Sequence, residues 1–140
     1  MIYDEISLHL SEAGSLDRAA SPIGLYLAWC ANHQLVSQEL IELKTPAFTG
    51  LLLREITGSE VLIVGCYGIL ESRWLNRRGN NFTLEYYGQY ISDFAEIFEE
   101  DVYDVEDNWA NYDRIAPLLT EKLFGFRREK TAKKWWKIWR

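Results

Sequence analysis

The chain has 140 residues, 48% of them hydrophobic and 14% aromatic, which fits one domain and excludes a disordered protein. Its formal net charge of −6 is unevenly spread: residues 1–113 carry 6 Lys/Arg against 19 Asp/Glu, and residues 114–140 carry 9 against 2. The main part therefore stands at −13, a field that repels nucleic acid, and the end of the chain at +7.

In chain order, MIYDEISLHL lacks the basic start of a secretory signal, and YDEISLHL alternates weakly, as a short strand would. A loop through Gly14 should follow. ASPIGLYLAWCANHQL then predicts a helix, with Ser21 as its cap, Pro22 at its first position and Ile23, Tyr26, Leu27 and Cys30 on one face. TPAFTGLLLREITG repeats the device with Thr45 and Pro46; Phe48, Leu51, Leu52 and Ile56 form its stripe and Gly58 its stop.

The run SEVLIVGCYGIL suits a buried strand by its β-branched residues and a helix by Ser59 as a cap, so periodicity leaves 59–68 open. It is also too short to span a bilayer. RRGNN at 77–81 predicts a turn. From there Phe82, Tyr86, Tyr90, Phe94 and Phe98 recur every four residues, the mark of a long helix over about 81–99. Val105, Trp109, Tyr112, Ala116, Leu119, Leu123 and Phe126 then make the most regular stripe, a helix over about 105–126 packed on the preceding one. Pro117 should kink or interrupt it. The expected fold is mainly α: one compact bundle of about five or six helices over 1–128, with a short N-terminal strand and a basic tail at 129–140.

Together YDEISLHL, PIGLYLAW, GNNFTLEYYGQYISDF and VEDNWANYDRIAPLL resemble a family of small bacterial proteins classed as a domain of unknown function, over about residues 2–126. The resemblance implies a cytoplasmic bacterial protein and favours helix at 59–68. It implies no activity. By analogy of kind alone, some small acidic families of this sort are immunity proteins that neutralise toxins delivered between bacteria.

Catalytic, cofactor and metal motifs are not found. His9 and His33 have no second ligand at metal spacing, and His33 suits the dipole at the end of its helix. Cys30 and Cys66 lie in apolar stretches and are expected as buried free thiols. Trp29 and Trp109 sit on helical stripes as core residues, whereas Trp74 lies beside a charged turn. The stretch EEDVYDVED holds six carboxylates: Glu99, Glu100, Asp101, Asp104, Glu106 and Asp107. Its spacing is not that of a calcium loop. Asp104 can cap a helix, and Glu106 and Asp107 suit a first turn. The stretch is either a solvated loop or, with no Lys or Arg between Arg78 and Arg114, an acidic face that would steer a basic protein partner.

The chain closes on KKWWKIWR, where Trp135, Trp136 and Trp139 share one side of a helix and Lys133, Lys134, Lys137 and Arg140 surround the rest. Three readings stand: docking on the chain's own acidic domain, an anchor on an anionic membrane, or a protein interface such as a homodimer. The leading functional expectation is a cytoplasmic, non-enzymatic binding protein without cofactor. Its sharpest form is an immunity protein whose acidic face occludes a toxin domain, a nuclease with its cationic cleft fitting best. The alternative is a peripheral membrane protein held by the tail.

Overall fold

The computed structural model describes the backbone of residues 1–138 and the side chains of residues 1–130. Strand β1 (Ile2–Glu5) pairs antiparallel with β2 (Ile69–Glu71), Asp4 opposite Leu70 and Glu5 opposite Ile69. Around this ribbon stand α1 (Leu10–Ala13), α2 (Leu16–Asn32), α3 (Gln38–Leu43), α4 (Thr45–Leu52), α5 (Gly58–Gly65), α6 (Arg77–Phe98) and α7 (Trp109–Ile138). The fold is mainly α with an N-terminal strand, as expected. Among the described residues it has seven α-helices, because 10–13 and 38–43 close into short helices of their own.

Helix α2 is the hub. Every residue from Ala19 to Ala31 is buried, so the helix is enclosed on all sides rather than along one stripe. The sign was present: that segment carries no charged residue. Ser15, not Ser21, caps it, accepting from Arg18 N–H at 3.3 Å. Pro22 consequently lies in the helix interior, where it has no N–H to offer the preceding turn. Its neighbourhood is tied from outside: Tyr90 O–H donates to the Pro22 carbonyl at 2.6 Å, and Ser21 Oγ–H donates to the Val105 carbonyl.

Several other boundaries move. Thr45 is the first residue of α4 rather than its cap, and its hydroxyl donates back to the Ile41 carbonyl at 2.8 Å. Gly58 opens α5 instead of stopping α4. Thr57 is the cap, its Oγ accepting from Glu60 N–H, a local signal present in Thr57-Gly-Ser-Glu60. The ambiguous run is helical to Gly65, turns through Tyr67 and Gly68 at φ 59° and 76°, and only then becomes β2. RRGNN is not a turn but the first turns of α6, because Asn76 caps it by accepting from Gly79 N–H at 2.9 Å.

The aromatic stripe of α6 is buried from Phe82 to Phe98, and α6 packs on α7. Asn108 stands before α7 and accepts from Asn111 N–H at 2.8 Å, so Asp104 is not its cap. Pro117 does not divide α7, which also runs on past residue 128. Trp109 is only half-buried, beneath the Arg54 guanidinium at 4.8 Å, whereas Trp74 is fully buried. The expectations for Lys133, Lys134, Trp135, Trp136 and Lys137 concern side chains outside the described residues, and Trp139 and Arg140 lie outside them altogether. Among the described residues no helix is long and apolar enough to cross a membrane.

Candidate functional site

Loop 99–108 folds back against the starts of α2 and α5 and closes a cleft of about 530 Å³. Both helices aim the positive ends of their dipoles at it, and each places a carboxylate in its first turn, Asp17 in α2 and Glu60 in α5. Asp104, Glu106 and Asp107 line it from the loop, with Arg18 as the single cation among the described residues.

Four long-range contacts hold the loop there. Arg18 pairs with Asp104, and its Nε–H donates to the Tyr103 carbonyl at 3.0 Å. Ser21 binds the Val105 carbonyl. Ser59 donates to Asp107 Oδ2 twice, from its N–H at 2.8 Å and its hydroxyl at 2.5 Å. Burial pushes the Asp107 carboxyl above the ordinary range, the Ser59 bonds oppose that, and Glu60 and Glu106 add to it. Val105 is itself fully buried beneath the loop.

This geometry corrects the acidic face. Asp107 is engaged by Ser59 and Asp104 by Arg18, so neither is a free surface charge. Asp101 accepts from Tyr103 N–H at 2.9 Å and starts a single 3-10 turn, Val102–Asp104. Glu99, Glu100 and Asp101 are exposed but stand outside the cleft, Glu99 ending α6 at φ 53°. The residues missed by the sequence reading are Asp17, Arg18, Ser59 and Glu60. Of these only Glu60 had a local signal, the Thr-x-x-Glu spacing from Thr57, whose hydroxyl accepts from the Glu60 N–H.

The loop has one further anchor. Asp4, buried in β1, accepts at Oδ1 from Glu5 N–H at 2.8 Å and His9 Nε2 at 2.6 Å, and at Oδ2 from the Tyr87 hydroxyl at 2.7 Å. A carboxylate only accepts, so Nε2 carries the His9 proton, and in the neutral ring Nδ1 accepts from the Tyr103 hydroxyl at 2.6 Å. The Tyr103 phenol is raised by burial and by the carboxylates of Glu12, Asp4 and Asp101. It is therefore a hydrogen-bonding group and not an ionised nucleophile. Burial likewise pushes the Cys66 thiol up to about 12 and Cys30 higher still, so both stay protonated, and neither is in a disulfide. Among the described residues no three of His, Cys, Asp and Glu gather to hold a metal ion.

A family described as a domain of unknown function, DUF7832, matches residues 2–106. The chain belongs to DUF7832. No curated protein and no solved structure matches it. The DUF7832 match includes the Asp4–His9 pair, the starts of α2 and α5, and the loop up to Glu106. It stops one residue short of Asp107 and excludes α7, so most of VEDNWANYDRIAPLL lies beyond it. All the residues lining the cleft except Asp107 lie within the DUF7832 segment, and its loop is bonded at Tyr103, Asp104 and Val105.

Proposed function

We propose that this protein is a non-enzymatic binding module that holds a basic protein partner in the cleft beside α2 and α5. The observation that carries the reading is the charge of that recess: five carboxylates line it against one guanidinium. Arg18 neutralises Asp104 and Ser59 engages Asp107, leaving Asp17, Glu60 and Glu106 unpaired among the described residues. A fixed acidic recess needs no reorganisation to receive a Lys or Arg side chain, and its field accelerates the approach of a cationic surface.

The sharpest form is an immunity protein in the bacterial cytoplasm that occludes the cationic cleft of a delivered toxin. Its test is co-expression with the product of the adjacent reading frame. The expected result is a domain lethal alone and harmless beside this chain, with protection lost in Asp17→Lys/Glu106→Lys while the thermal midpoint holds. A harmless neighbour, or protection untouched by both reversals, overturns the immunity reading.

A further inference from the structure

We propose that the opposite end of α2 carries a second site, a cationic cup that takes an organic phosphomonoester with a flat body, such as a nucleoside monophosphate. At about 1.5 Å per residue, the 17-residue α2 sets it roughly 25 Å from the acidic cleft. The cup holds about 320 Å³ and lies where the end of α2 meets the start of α6 and the cationic half of α7. That volume is within the roughly 300–1,000 Å³ of small-molecule sites.

Its floor is a closed hydrogen-bond ring. His33 Nδ1–H donates to the Trp29 carbonyl at 3.0 Å, Trp29 Nε1–H donates to Thr120 Oγ at 3.2 Å, and Thr120 O–H completes the ring on His33 Nε2 at 3.2 Å. His33, Trp29 and Thr120 thus satisfy one another. The walls are not engaged. Arg78 and Arg127 both line the cup, and neither makes an ion pair or a side-chain hydrogen bond among the described residues. Arg78 is one of 6 Lys/Arg in residues 1–113, and Arg127 comes from the cationic stretch 114–140, so the cup joins a cation from each part of the chain. Their planar forks match the oxygens of a phosphate, and their joint charge matches its dianion better than a single carboxylate.

The body of the ligand follows from the next recess along α7. Thr120 and Phe124 line both the cup and a shallow shelf that adds Ala116 and Pro117, with Asp113 and Glu121 at its edges. Phe124 is 60% exposed although large and apolar, with the Arg128 guanidinium 5.2 Å from its ring centre. A planar ring lying on it would leave water while its phosphate stays between the arginines.

Calorimetric titration of the full chain with adenosine 5′-monophosphate tests the proposal. One nucleotide should bind per chain. Arg78→Gln/Arg127→Gln should weaken it by about tenfold or more, as should replacing the nucleotide by adenosine. Phe124→Ala should weaken the nucleotide but leave inorganic phosphate unchanged. Both variants change exposed side chains, and a retained thermal midpoint establishes that they fold. No binding at about 10 mM nucleotide, or equal affinity in the double arginine variant, overturns the site. Phosphate binding as tightly as the nucleotide overturns the flat body. Phosphatidic acid vesicles that bind through both arginines when the nucleotide does not would assign the cup to a lipid surface, and overturn it too.

Discussion

Gly58 and Gly24 meet with no side chain between them: a Cβ on Gly58 would stand 1.9 Å from the Gly24 carbonyl oxygen. One on Gly24 would stand 2.4 Å from Ser59 N. This crossing seats α5 on α2 closely enough to bring Ser59 to Asp107. Backbone cannot yield there as a flexible side chain would, so Gly58→Ala should cost about 1–3 kcal/mol or more. Gly88→Ala, in the middle of α6 with open space around it, should instead stabilise by about 0.5–1 kcal/mol. Urea unfolding of the two variants decides the matter, and equal effects would refute the crossing.

Removing the Tyr87 hydroxyl should destabilise more than its size suggests. Tyr87→Phe leaves Asp4 Oδ2 buried without its donor, a loss of about 1–3 kcal/mol. Tyr3→Phe removes a bond to Asn80 at a more open place and should cost less. Chemical denaturation of the pair ranks them, and the reverse order would show that Asp4 has another partner.

Asp107 predicts a pH slope. Its folded carboxyl is raised, so the folded state binds the proton more tightly than the unfolded chain does. Its contribution to stability is therefore most favourable below the ordinary Asp value of 3.8 and is lost as pH rises through the raised value. Asp107→Asn cannot ionise and keeps an acceptor for Ser59. The thermal midpoint of the parent minus that of Asp107→Asn should fall as pH rises across this window; a constant difference would contradict the shift.

Tryptophan truncation should separate core from rim. Trp29 is fully buried among the rings of Tyr26, Phe82 and His33, and Trp29→Ala should cost about 3–5 kcal/mol. Trp109 is half-buried and mainly meets Arg54 and Tyr112, so Trp109→Ala should cost roughly 1–2 kcal/mol. Calorimetric unfolding compares them. Equal losses would place Trp109 in the core after all.

The mainly α class, the aromatic stripe of α6 and the stripe of α7 from Trp109 onward were determined by the sequence alone, because side chains four residues apart on a helix share a face whatever the helix meets. Val105, by contrast, lies in the loop before α7. The N-terminal strand was legible for a similar local reason. Tertiary structure decided the rest. Ser21 and Pro22 read as a helix start and Arg77–Gly79 as a turn because local chemistry allows both readings. The interior place of Pro22 comes with a bond from Tyr90 to Pro22 across 68 residues and one from Ser21 to Val105 across 84. The acidic stretch was equally visible as charge, yet which carboxylates stay free depends on partners that spacing cannot supply. Arg18 takes Asp104 across 86 residues and Ser59 takes Asp107 across 48, and only a folded chain pairs groups so far apart.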